Sequence, residues 1–170
     1  MEYIKGDVLE IETPKVDICF AFNFSYFIFK ERKILKKYLQ NVYHNLSDDG
    51  VFFCDIFGGP DSQTVMEDII EYDDYKYYWD CQKFNPLTNE CDFAIHFKRK
   101  GESRRDDVFT YNWRMWTVME MRDLLEEVGF KTTHSYWEED DEDDEGNGEF
   151  YLSEDEENCD SWVTYIAAVK

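Results

Sequence analysis

Two polar residues, Asn23 and Asp55, lie at or near the ends of two apolar runs, and the stretch between the runs has helical spacing. Val16 to Asn23 is otherwise interrupted only by Asp17, and Val51 to Phe57 only by Asp55, ahead of Gly58-Gly59. Strand, crossover helix and strand make a βαβ unit, and its nearly invariant handedness puts the C-terminal ends of both strands on one edge of a parallel sheet. Ligands of open α/β sheets bind in the crevice at that edge. An amide and a carboxylate there offer hydrogen bonding and charge, and no covalent nucleophile is suggested. Each residue keeps a second reading: Asp55 as a buried carboxylate satisfied by its neighbours, Asn23 as a residue that turns the chain.

The remaining candidates for chemistry are sparse. Cys81 and Cys91 could face each other across a hairpin with His96 downstream, which raises zinc, but no close cysteine pair supports it and no metal is expected. Five scattered cysteines read as reduced thiols of a cytoplasmic or nuclear protein. His44 falls at the end of a predicted helix, where it suits the dipole.

The elements follow from pattern. Met1 to Thr13 reads as the tail of a strand with a Gly6-Asp7 turn. Ile34, Leu35, Tyr38, Leu39, Val42, Tyr43 and Leu46 recur at threes and fours, an amphipathic helix over Lys30–Leu46 that Ser47-Asp48-Asp49-Gly50 ends. Val16–Asn23 is expected to be covered on both faces. A short helix is predicted from Asp61 or Ser62 to about Glu71, then an antiparallel meander over 75–113 with strands at Tyr75–Phe84, Glu90–Lys98 and Asp106–Trp113. Thr117-Val118-Met119-Glu120 is a capping box opening a helix that Gly129 closes, and Lys131–Trp137 and Trp162–Val169 are two further strands.

Composition bounds the partners. The 170 residues are 43% apolar and 18% aromatic, enough for one domain's core. The formal net charge is -21, yet residues 138–160 hold 14 acids and no Lys or Arg, and without them the charge is -7. With eight consecutive acids from Glu138 to Glu145, the segment 138–160 is predicted to be a disordered loop joining the last two strands, either simply solvated or a site for a basic partner. No basic face announces direct nucleic-acid binding, and no apolar run suggests a membrane span or signal region.

GDVLEIETPKVDICFAFNFSYF, LSDDGVFFCDIFGG and WRMWTVMEMRDLLEEVGF, in this order, resemble the C-terminal half of a class I S-adenosylmethionine-dependent methyltransferase. They are similar to the acidic turn plus fourth strand, to the fifth strand, and to the helix ahead of the final hairpin. The resemblance implies an α/β fold: an incomplete Rossmann-like sheet of parallel strands followed by a C-terminal antiparallel hairpin, with the meander inserted. It implies S-adenosylmethionine as cofactor, with Asp7 and Val8 at the adenine and Ala21 and Phe22 beneath the methionine portion. Asn23 and Tyr26 would be catalytic, and Ser25, Asp55, Arg114 and Trp116 would contact the methyl acceptor. Arg114 between Trp113 and Trp116 equally reads as a cation stacked on aromatics.

The family's glycine-rich loop and ribose-binding acid would precede Gly6. At roughly 30 residues per βαβ unit, about 60 to 70 residues of the cofactor-binding half are expected to be missing. Strand 16–23 then becomes an open edge that seeks a second chain or a copy of itself. Two functions follow: methyl transfer to a small-molecule or protein acceptor, completed by the other half, or an inactive methyltransferase-like subunit that binds or regulates a partner.

Overall fold

The computed structural model describes residues 3–140 and 146–170. In chain order its elements are β1 (Val16–Ala21), α1 (Arg32–Asn45), β2 (Leu46–Gly58), β3 (Glu67–Glu71), β4 (Tyr75–Asn85), β5 (Glu90–Arg99), β6 (Arg105–Arg114), α2 (Val118–Val128), β7 (Thr132–Asp140), β8 (Gly146–Ser153) and β9 (Trp162–Val169). The chain divides into two compact units: residues 1–57, 116–157 and 162–170 form the first, and 58–115 with 158–161 the second.

The first unit is a five-stranded mixed sheet in the order β1-β2-β9-β7-β8. β1 and β2 are parallel, with Ile18 opposite Val51 and Ala21 opposite Cys54, and β7 runs antiparallel to both β9 and β8. α1 buries Leu35, Leu39 and Val42, the inner part of the stripe read from the sequence. The Thr117 hydroxyl accepts from the Glu120 N–H (3.1 Å) while the Glu120 carboxylate accepts from the Thr117 N–H (2.9 Å), the reciprocal pair that starts α2. Gly129 ends it at φ 119°, where a residue with a Cβ would be strained. Met121, Leu124, Leu125, Phe52 and Ile166 are fully buried in this core. Arg32 and Lys36 of α1 both reach Glu127 of α2, so exposed ion pairs link the two helices.

Several expectations need correction. Strand 16–23 is not covered on both faces: β1 ends at Ala21, lies at the sheet's edge, and leaves Ile18 and Phe20 more than half exposed. A nearly continuous apolar run cannot signal which of its sides is covered, because that depends on remote elements. Residues 3–13 contain no strand; the Asp7 carbonyl accepts from the Glu10 and Ile11 N–H groups, making a turn tied to α1 by the side-chain amides of Asn41 and Asn45. β2 starts at Leu46, and the predicted turn at 47–50 survives as a register shift between the Leu46 and Val51 pairings.

The second unit is a four-stranded antiparallel sheet, β3-β4-β5-β6. The helix predicted over 61–71 is instead one 3-10 turn, Pro60–Gln63, followed by β3. Ile69 and Ile70 pair with Tyr78 and Tyr77 of β4, and this long-range pairing overrides a weak helical spacing. Gly59 has φ 97°, and a Cβ there would come within 2.4 Å of the Asp160 carbonyl.

The acidic stretch is not one irregular loop. Residues 146–153 form β8, with Phe150 opposite Glu138, Tyr151 opposite Trp137 and Leu152 opposite Tyr136. The apolar triplet 150–152, enclosed by acids, supplies cross-strand contacts that net charge conceals. The disorder expected at 141–145 falls outside the described residues.

Candidate functional site

β1 stops where Asn23 and Phe24 both take left-handed backbone, at φ 58° and 53°. Neither is glycine, so the turn needs an external hold. Asp55, near the end of β2, provides it: one carboxylate oxygen accepts from the Asn23 N–H (2.7 Å) and the other from the Phe24 N–H (2.9 Å). Tyr26, buried in the following 3-10 turn, donates its hydroxyl to the Asp55 carbonyl at 2.7 Å. Burial pushes the Asp55 carboxyl upward, against the pull of the two N–H groups. Burial, then the neighbouring Cys54 and Asp55, pushes the Tyr26 phenol well above its usual value. The strand ends therefore meet through a charge-assisted clamp.

Beside the clamp runs a row of aromatic side chains. Phe53 stacks on Phe20 (5.6 Å between centroids), Phe20 lies against Phe22 (4.9 Å), Phe22 meets Tyr165 edge-on (5.5 Å), and Tyr165 meets Phe150 (4.6 Å). The Tyr165 phenol is raised by burial and then by the Asp55 and Glu138 carboxylates. Aromatic faces edged with carboxylates suit a cation.

Of the residues singled out from sequence, Asn23, Tyr26 and Asp55 are joined directly by these hydrogen bonds. Ser25 is exposed at the start of the 3-10 turn; Ala21 is buried against Cys54, and Phe22 belongs to the aromatic row. Asp7 and Val8 sit in the exposed turn held to α1, where the Asp7 carboxylate accepts from the Leu9 N–H at 2.9 Å. Arg114 closes β6 in the second unit, whereas Trp116 is buried in the first. Sequence reasoning missed Tyr165, Phe150 and Glu138. Tyr165 had a signal: it alternates with the buried Thr164 and Ile166, so it must face the other side of β9.

In the second unit Glu67, Asp80 and His96 bring ligand atoms within 4.8 Å of one another. His96 Nδ1 accepts from the Asp107 N–H (2.8 Å) and Nε2 lies 3.2 Å from Asp80, while Arg104 forks onto the Glu67 carboxylate and packs over the Tyr78 ring (4.2 Å). A guanidinium thus already engages one of the two carboxylates of this cluster. Cys81 and Cys91 pair opposite Phe93 and Phe84, not opposite each other.

The sequence matches no protein-family model and no curated protein. Solved structures do match. An S-adenosylmethionine-dependent methyltransferase from Clostridium acetobutylicum superposes with TM-score 0.61 at 18% identity over 95% of this chain and 62% of its own. The CcbJ methyltransferase from Streptomyces caelestis gives 0.64 at 13% identity, over 97% and 62%. CalS10, an amino pentose methyltransferase from Micromonospora echinaspora solved with S-adenosylmethionine bound, gives 0.60 at 10% identity, over 97% and 63%. The chain has a class I methyltransferase-like fold. It spans about three fifths of the length of these neighbours. In this methyltransferase-like sheet the Asp55 clamp occupies the C-terminal ends of the parallel pair, where ligands of such sheets bind. No helix among the described residues is long and apolar enough to cross a membrane.

Proposed function

We propose that this chain takes part in methyl transfer from S-adenosylmethionine to an amine-bearing acceptor, at the edge where the Asn23 turn, Asp55 and Tyr165 converge. The observation that carries the reading is the aromatic row from Phe20 through Phe22 to Tyr165, lying beside the Asp55 clamp at the end of β1. The fold of the neighbours supports the cofactor, and the CalS10 amino pentose methyltransferase and the glycopeptide N-methyltransferase MtfA support an amine acceptor.

When bound, S-adenosylmethionine supplies an electrophilic methyl group on a positively charged sulfur. Phe22 and Tyr165 would offer their faces to that charge, and Asp55 and Glu138 would supply the compensating field. The Asp55 clamp fixes the Asn23–Phe24 turn, so positioning, not covalent chemistry, is what these residues contribute. The fit reaches the sulfonium end only: among the described residues no glycine-rich turn joins a strand to a helix to receive the nucleoside, and the Asp7 carboxylate is engaged by Leu9. On this reading a segment that pairs with the β1 edge, from a second chain or a copy, completes the nucleoside side.

NMR titration of the full chain tests it. The expected result is binding of S-adenosylmethionine with Kd on the order of 1 mM, about -4 kcal/mol, and weaker binding of S-adenosylhomocysteine, whose sulfur carries no charge. Tyr165→Ala should erase the difference. A folded chain whose spectrum ignores S-adenosylmethionine would favour the second reading: an inactive methyltransferase-like subunit that offers β1 to a partner and the acids of 138–160 to a basic one. The engagement of both Asp55 oxygens and of the Tyr26 hydroxyl within the fold supports that alternative.

A further inference from the structure

The second unit carries a pocket outside everything assigned above. It is a cavity of about 330 Å³ lined by Tyr75, Phe97, Arg99, Arg105 and Val108, across the outer ends of β4, β5 and β6. A bulge opens it. Ile95 pairs with Phe109, but Phe97 pairs with Arg105, so β6 carries two more residues than β5 over this interval. The extra backbone turns at Asp107, which is left-handed (φ 50°), and the Asp107 N–H released from the ladder is taken by Nδ1 of the buried His96 at 2.8 Å. Bulges of this kind re-aim side chains, and here the bulge lies between two lining residues, Arg105 and Val108.

The lining has a definite chemistry. Tyr75, Phe97 and Val108 make the apolar wall, and Tyr72 stacked on Tyr75 at 4.5 Å extends it. Two guanidiniums complete it. In a chain of net charge -21, five of the 18 Lys and Arg residues fall between Lys98 and Arg105, with Glu102 the one acid among them. Arg105 pairs with Glu102 at 3.0 Å on an exposed rim, a contact weak enough in water to be exchanged for a ligand. Guanidiniums match carboxylates by paired N–H donors and also stack on rings.

We propose that this pocket binds an aromatic carboxylate of one or two rings, the ring against Tyr75, Phe97 and Val108 and the carboxylate on Arg99 and Arg105. The volume suits such a ligand, lying at the small end of ordinary ligand pockets. The site is independent of the methyl-transfer reading, because every lining residue belongs to the second unit.

The test is an NMR titration of the full chain with 2-naphthoate, 2-naphthalenemethanol and inorganic phosphate. Naphthoate should perturb the Phe97 and Val108 amides and bind about tenfold more tightly than either control. The double variant Arg99→Gln/Arg105→Gln, at exposed positions that leave the core intact, should lose about tenfold for naphthoate and little for the alcohol. Glu102→Gln should tighten naphthoate by roughly two- to fivefold, since it releases Arg105 from its exposed pair. Equal binding of the alcohol would make the pocket a plain apolar patch, and equal binding of phosphate a plain anion site. Either result, unchanged binding by the double variant, or no naphthoate binding at all overturns the proposal.

Discussion

β1 and β8 close the same sheet, yet β1 meets solvent with Val16, Ile18 and Phe20, whereas β8 is set in sequence among fourteen acids spread over 138–160. Unpaired strand edges invite pairing, and charge is one of the ordinary ways of discouraging it. β8 has that protection on both flanks, along with the left-handed Gly148, although Tyr151 and Leu152 are themselves exposed. β1 has one acid, Asp17, and its other exposed side chains, Val16, Ile18 and Phe20, are apolar. The same sheet thus has a guarded edge and an open one, and the open one adjoins the Asp55 clamp.

The strongest way to break this contrast is at the clamps. Asp55→Ala leaves the Asn23 and Phe24 N–H groups without their acceptor and should cost about 2 to 4 kcal/mol in urea unfolding. On the other edge Glu138 accepts from the Gly148 N–H at 3.0 Å in an exposed setting, so Glu138→Ala should cost only about 0.5 to 1 kcal/mol. Equal losses would mean that the two edges are held alike.

Association comes next in size. Sedimentation of the wild-type chain should show concentration-dependent assembly, weakened about tenfold or more by Ile18→Lys/Phe20→Lys. Tyr151→Lys/Leu152→Lys on β8 should change it little. If the β8 pair is the one that dissociates the assembly, the assignment of open and guarded edges is reversed.

The smallest effect is on pH dependence, where two carboxylates act with opposite sign. Burial raises Asp55 above its ordinary 3.8, so its contribution is fully present below that value and is lost as pH rises through the raised one. Arg32 and Lys36 hold Glu127 down to about 2, so its contribution is present above 4.5 and lost as pH falls through about 2. Urea midpoints followed from neutral pH into acid should therefore lose the first trend in Asp55→Asn and the second in Glu127→Gln. A profile unchanged by Asp55→Asn would contradict a desolvated carboxyl at the end of β2.

Much of the first unit was legible because its signals are local. The stripe of α1, the capping box at Thr117 and the left-handed Gly129 lie within a few residues of the backbone groups they serve. The meeting of Asn23 with Asp55 followed from chain chirality, since a βαβ unit leaves one arrangement for the two strand ends. The errors share a different cause. β3 exists because Ile69 and Ile70 find Tyr78 and Tyr77, and β8 because Phe150–Leu152 find Tyr136–Glu138; neither pairing has a signature inside the segment itself.

By itself, then, the sequence determined the parallel pair with its helix, the capped helix and the polar residues at the strand ends. Tertiary structure alone decided which side of β1 stays open, that Tyr165 comes beside Phe22, and that an irregularity in β6 is stabilised by His96 and opens a pocket next to two arginines. Periodicity fixes a strand and the alternation of its faces, but register and neighbours are set by long-range pairing, which no local pattern encodes.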